Sequence, residues 1–333
     1  MKRLRKTLRL FIAMLMTTGI SMAHAQTQVT VYGRLDASIE QVSVSLRTGP
    51  TRHYRLLSSD GSRLGFRATE NLGQGWRALV SLEQGFALDR GHITEGGTAW
   101  GRQATVGISG PWGAVHLGRN YLPMDDDTWY FDAFNYAGLG VAWMFLPYES
   151  RANNSVKYIS PKHEGFVGEA MVAAGEGQVA SKQLGFSALY KQPAFDVKAA
   201  YTLTKGVVGN NDRREYLLAA DLKFGGPRLM TIVYQGREDG VADDTRSYVL
   251  GGTWPVGAAE LRLSFASLSQ GDERSRRWAL GYWYNFSRRT ALYAAIARQT
   301  NSQWMGLPLN PSFVIPPLGA TLKGTQLGIR HSF

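Results

Sequence analysis

The 333-residue sequence contains no cysteine. A disulfide framework, a thiolate metal site and a cysteine nucleophile are therefore excluded. Beyond the N-terminal leader no stretch reaches about 18 uninterrupted apolar residues, which excludes a membrane-spanning helix. The remaining histidines (His53, His92, His116, His163, His331) are scattered and form no H-x-x-x-H pair, so neither a metal nor another cofactor is expected. Lysine is scarce: 8 lysines stand against 24 arginines after residue 25.

The leader is "MKRLRKTLRLFIAMLMTTGISMAHAQ". Its basic start, apolar run from Leu10 to Ile20 and Ala23-His24-Ala25 predict a secretory signal over residues 1–25, cleaved before Gln26. Residues 26–333 then form one domain. Losing the leader's five basic residues lowers the net charge from +11 to +6. Such a balance suits nucleic acid, an anionic membrane surface or anionic solutes. Export argues against nucleic acid. An exported chain without disulfides needs a large core or lipid to stabilise it.

The dominant pattern is alternation. In "VTVYGRLDASIE" one face carries Val29, Val31, Gly33, Leu35, Ala37 and Ile39, and the other Thr30, Tyr32, Arg34, Asp36, Ser38 and Glu40. Period two over a dozen residues predicts a long strand. Fifteen further segments repeat it, from Arg63–Glu70 through Glu215–Phe224 to Thr325–Phe333. Tight links such as "GPWG", "QPA" and "SRR" alternate with longer ones, the longest at 41–61, 121–150 and 300–324. Two unlike rims predict an all-β, 16-stranded antiparallel transmembrane β-barrel. A soluble sandwich shares the alternation. The aromatic placement separates the two, because Trp76, Tyr158, Phe166, Tyr190, Phe195, Phe224, Trp254 and Phe286 all flank short links, as a girdle at one membrane interface requires. The chain ends inside a strand at Phe333, which is expected to close the sheet against the first strand and to join that girdle.

Several stretches resemble the Gram-negative general porins, particularly the trimeric porins of beta-proteobacteria: "VTVYGRLDA", "SRLGFRATENLGQGWRALVSLEQGF", "GRQATVGISGPWGAVHLGRNY", "RANNSVKYISP" and "LGIRHSF". The resemblance covers the chain after the leader. It implies a homotrimer, surroundings of outer-membrane lipid and lipopolysaccharide, a terminal Phe333 read by the outer-membrane insertion machinery, and a third loop folded into each barrel.

Charge segregation supports such a loop independently. "YLPMDDDTWYFDAFNYAGLGVAWMFLPY" carries Asp125, Asp126, Asp127 and Asp132 and no Lys or Arg. A long acidic loop rich in aromatics, in a basic chain, calls for a partner rather than free solvation. By strand parity Arg34, Arg63, Arg67, Arg77 and Arg151 point into the lumen. The resemblance matches Arg34, Arg63, Arg102 and Arg151 to a basic cluster facing the loop, yet Arg102 shares parity with Ala104 and Val106 and needs a bulge to do so. Arginines opposite aspartates create a transverse field that favours small hydrophilic solutes and, given the net charge, anions. A substrate-specific channel or a surface adhesion barrel is the alternative. A barrel enzyme needs a nucleophile and a base, and although Ser109 and His116 lie on neighbouring strands nothing marks either. No catalytic residue is expected.

Overall fold

The computed structural model describes residues 27–333 except 47, 59–60, 176, 178–181, 209–210 and 311–314, and the expected signal segment lies outside them. Seventeen strands follow in order: β1 (Thr27–Ser45), β2 (Arg52–Ser58), β3 (Arg63–Gly73), β4 (Trp76–Gly85), β5 (Gln103–Gly110), β6 (Gly113–Tyr121), β7 (Arg151–Ile159), β8 (Phe166–Ala173), β9 (Lys182–Lys191), β10 (Phe195–Val208), β11 (Asn211–Lys223), β12 (Arg228–Glu238), β13 (Thr245–Val256), β14 (Ala259–Gln270), β15 (Glu273–Asn285), β16 (Thr290–Asn301) and β17 (Thr321–Ser332).

From β3 onward each strand pairs antiparallel with the next, and β17 returns to β1 from Arg34 opposite Ser332 to Ser45 opposite Thr321. Among the described residues the ladder closes on itself, as lipid demands because an unpaired backbone group there finds no water. One half of β1 pairs with β2 and the other with β3, so these two strands form a single stave interrupted near Gly61. The wall is therefore a closed 16-stranded barrel. Ser62 bridges the interruption: Asp36 N donates to its Oγ at 2.9 Å, and the hydroxyl donates to Asp36 O at 3.2 Å.

The segment 41–61, expected as a long loop, is mostly a hairpin extension. β1 runs to Ser45, and Ser38–Val44 pairs with Ser58–Arg52. The polarity of the alternation reverses here: Ile39 faces outward and is exposed, whereas Val42 and Val44 point inward into an apolar cluster with Leu309 and Leu322. A pattern read as apolar-out loses its phase at that reversal.

Elsewhere the outward face is apolar and uncovered. On β15, Trp278, Leu280, Tyr282 and Tyr284 are exposed, while Ser275, Arg277, Ala279 and Trp283 are buried inside. Such a belt suits lipid rather than water. Below it lie the girdle aromatics: Trp76 packs on Trp112 at 5.7 Å, Trp112 stacks on Tyr158 at 6.2 Å, and Tyr190 meets Phe195 at 6.0 Å between ring centroids. The tight links join strands at this rim. Gln74 and Gly75, between β3 and β4, both take positive φ (50° and 82°), the conformation a two-residue hairpin requires at its two central positions.

Candidate functional site

The segment 122–150 leaves β6 and re-enters the barrel before β7, its two ends tied by Leu122 N donating to Ser150 O at 2.9 Å. Its turns Thr128–Phe131, Gly138–Gly140 and Ala142–Phe145 pack against inward faces of β11–β17. Phe134 sits edge-on to Trp283 with centroids 5.4 Å apart. That approach needs a glycine at 281, since a Cβ there would lie 2.9 Å from the Phe134 ring. Arg277 donates to Val141 O, Leu139 N to Gln326 Oε1 at 3.1 Å, and Arg228 Nη2 to Tyr130 O at 3.2 Å. A second segment helps. Leu309 is fully buried, Leu307 O accepts from Gln299 Nε2 at 2.6 Å, and Asn310 donates to Glu40. Part of the stretch expected as the last external loop thus lies inside the wall. These packed segments fill the β10–β17 side and leave the opening beside β1–β7.

That opening is a cavity of about 970 Å³ lined by Arg34, Arg63, Arg67, Arg90, Arg102 and Arg151, by Asp125, Asp126 and Asp127 of the loop, and by Glu83, Asp89 and Glu95. The interruption between β2 and β3 sets Arg34 directly opposite Arg63 in the ladder. Irregularities of this kind re-aim side chains where a site needs them. Arg67 lies over the Tyr32 ring at 4.2 Å, and Arg151 over Tyr121 at 4.4 Å with Nη2 donating to its hydroxyl at 2.9 Å. Two glutamates hold the arginines in place. Glu83 receives Arg102 Nε at 2.7 Å and the Tyr32 hydroxyl at 2.9 Å, and lies 3.5 Å from Arg63; Glu95 lies 3.2 Å from Arg102.

The parity objection to Arg102 dissolves because the residue precedes β5 and is not part of a strand. Arg77 is a different case. It stands exposed beside the β3–β4 link and is not among the cavity residues, since its inward parity acts at the wrong height. Asp132 also departs from expectation: it is fully buried and not at the opening. Its carboxylate accepts the backbone N–H groups of Phe134 at 3.1 Å, Tyr136 at 3.0 Å and Ala142 at 2.9 Å, so it folds the loop rather than facing solutes. Burial pushes its carboxyl above the ordinary range, against the pull of those donors and Arg277.

The three consecutive aspartates have distinct partners. Asp125 accepts the Tyr148 hydroxyl at 3.2 Å, and burial pushes its carboxyl up although Arg151 and Lys198 act against that. Asp126 lies 2.5 Å from Lys157 and its carbonyl receives Lys198; burial raises its carboxyl, but the Lys157 ammonium outweighs this and holds it below the usual range. Asp127, in left-handed backbone at φ 60°, lies 3.7 Å from Lys191. Lys157, Lys191 and Lys198 were missed as site residues. Parity could have found Lys157, which shares a face with Arg151, and likewise Glu83, which shares one with Ser81. Among the described residues no cluster of three His, Asp or Glu is placed to hold a metal. Phe333 closes the ladder through two backbone hydrogen bonds with Gly33, each 3.1 Å, and its ring covers the Gly33 Cα.

The geometry has close counterparts. The sequence profile described as Gram-negative porin matches residues 12–303. Outer membrane porin protein 32 of Delftia acidovorans is 32% identical, with 97% of this chain and 98% of that protein aligned. An outer membrane porin of Bordetella pertussis is 27% identical over 99% of this chain and all of its own length. Among solved structures, an anion-selective porin from Comamonas acidovorans superimposes with a TM-score of 0.83 at 30% identity, covering 92% of this chain and 100% of that one.

Proposed function

Because this chain belongs to the Gram-negative porin family, a set of outer-membrane channels, we propose that the arginine-lined cavity is its selectivity-determining constriction and that it favours anions. The protein is an outer-membrane porin, a water-filled barrel for passive diffusion of small hydrophilic solutes. No covalent step is involved. The finer reading rests on one observation: Arg34, Arg63, Arg67, Arg102 and Arg151 line one side of the opening, while two of the three facing aspartates are already engaged by lysines. An anion crossing there meets fixed positive charge in a narrow space with low-dielectric walls, which strengthens the field. A cation meets a loop of which two aspartates are answered by lysines, while Glu83 and Glu95 offset part of the charge of Arg63 and Arg102 and leave the wall's remaining arginines to set the sign. The relative from Comamonas acidovorans described as anion-selective supports the same direction.

A homotrimer embedded in outer-membrane lipid and lipopolysaccharide is the assembly we propose, with Phe333 serving recognition by the insertion machinery and residues 1–25 removed on export. The exposed apolar faces of the strands suit both lipid and neighbouring copies. Reversal potential across a planar bilayer under a salt gradient tests the anion preference. Crosslinking in native membranes tests the trimer.

A further inference from the structure

Two indoles stand in water inside this barrel. Trp129 and Trp143 both line the main cavity, at 46% and 38% exposure, although the same loop buries Phe131, Phe134 and Phe145 almost completely. Exposed tryptophan forgoes burial that the loop readily provides to its other aromatics, and such apolar surface within a lumen marks a place for a ligand. Trp143 is moreover held rigidly. In the turn Ala142–Phe145 its neighbours Ala142 and Phe145, three residues apart and hence on one side, are fully buried, and Ala142 N is anchored on Asp132. Trp143 projects away from that anchored side.

What it projects toward is a neck. A second cavity of about 440 Å³ adjoins the first, and Trp143, Arg151, Asp125 and Ser150 line both. Met144 and Pro147 add apolar surface to the second cavity. A solute moving between the two spaces passes an indole and a guanidinium together. Arg151 rests on Tyr121 and uses Nη2 on its hydroxyl, and it forms no ion pair among the described residues. Asp125, which accepts the Tyr148 hydroxyl, and Glu149 repel a carboxylate, while Arg119 in the second cavity adds to the pull of Arg151, so an organic anion at the neck turns its charge toward the guanidiniums.

We propose that the neck formed by Trp143 and Arg151 is a subsite for aromatic carboxylates, the ring stacking on Trp143 while the carboxylate engages Arg151. This rests on the anion-preferring reading of the constriction and narrows its solutes to a class. Ring stacking adds about two- to tenfold in affinity beyond area burial alone, and the guanidinium supplies a fixed, planar pair of donors for the carboxylate. Acetate lacks the ring, and cyclohexanecarboxylate lacks the aromatic face while matching the size.

The test is single-channel recording of the reconstituted protein in potassium chloride, with benzoate, cyclohexanecarboxylate or acetate added. Benzoate is expected to interrupt the current saturably, at a concentration about three- to tenfold below that of cyclohexanecarboxylate, with acetate weaker still. Trp143→Ala should bring benzoate and cyclohexanecarboxylate together, Trp143→Phe should keep most of the difference, and Arg151→Gln should weaken both. Should Trp143→Ala fail to assemble, the ratio in Trp143→Phe and the wild-type series still decide. Equal interruption by benzoate and cyclohexanecarboxylate in the wild type, or an undiminished ratio in Trp143→Ala, overturns the subsite. Reversal potential in potassium chloride alone reads the anion preference separately: a normal preference with a benzoate ratio of one removes only the subsite, whereas a cation preference removes the reading beneath it.

Discussion

Arg102 and Glu83 meet at 2.7 Å, Nε to Oε1, one from the residue before β5 and the other from β4. Glu83 also lies 3.5 Å from Arg63 and accepts the Tyr32 hydroxyl, so one carboxylate holds two guanidiniums of the basic wall in register. It also offsets part of their charge. Glu83→Gln keeps the side-chain shape and removes that offset. A unit charge 4–8 Å from a permeating ion in water is worth about 0.5–1 kcal/mol, of opposite sign for anion and cation, so the anion-to-cation permeability ratio is expected to rise by at least about two- to fivefold. An unchanged reversal potential would show that Glu83 lies outside the field the ions experience.

Asp126 and Asp132 should respond in different ways to the same substitution. Asp126→Asn removes a charge at the cavity edge and should raise anion preference by at least about two- to fivefold, with the loop retained by Lys198 on the Asp126 carbonyl. Asp132→Asn leaves one or two buried N–H groups without an acceptor, at a cost of about 1–3 kcal/mol each. Its expected signature is a looser loop: faster proteolysis between residues 122 and 150 and noisier open-channel current. Identical behaviour of the two variants would contradict the separate roles.

The pH dependence follows from Asp125. Burial raises its carboxyl above the ordinary carboxylate range, so as pH falls it takes up a proton before an unperturbed aspartate does. The opening then loses a negative charge and anion preference should increase. Asp126, held low by Lys157, stays ionised over that interval. Recording reversal potential from pH 7 down toward the carboxylate range, with Asp125→Asn alongside, checks this; the variant should rise less than the wild type over that interval.

Much of this was legible in the sequence, and the reasons for the exceptions are physical. Period two reports which face a strand residue occupies, so it located β3 to β17 and the inward arginines at 34, 63, 67 and 151. It says nothing of height along the barrel, which is why Arg77 was grouped with them while lying beside the β3–β4 link. It also assumes that apolar means outward. Val42 and Val44 break that assumption because packed loop segments, not lipid, meet them inside, and β2 was lost as a result. Asp132 could not be separated from its neighbours by composition, since folding a loop and lining an opening both use a carboxylate. The lysines behind the aspartates lie on β7, β9 and β10, remote in sequence from the loop, and only the fold of the loop into the barrel brings them together.

Deleting Phe333 removes two backbone hydrogen bonds to Gly33 and the ring that covers it. The closing ladder retains its pairing from Ser332 to Thr321. The expected consequence is a drop in the amount reaching the outer membrane, larger than any change in single-channel conductance of the molecules that do. Immunoblotting of membrane fractions together with bilayer recording measures both. Normal membrane levels would assign Phe333 to the girdle alone.

The central claim is that the arginine wall sets the sign of selectivity, and zero-current reversal potential under a potassium chloride gradient tests it most directly. Wild-type channels should favour chloride at low salt, with the preference shrinking as screening shortens the reach of fixed charge from about 10 Å at 0.1 M to about 3 Å at 1 M. The double variant Arg34→Gln, Arg63→Gln should move the reversal potential toward potassium, whereas Arg77→Gln, away from the opening, should move it far less. A wild type that prefers potassium at low salt, or a double variant indistinguishable from it, would contradict the account.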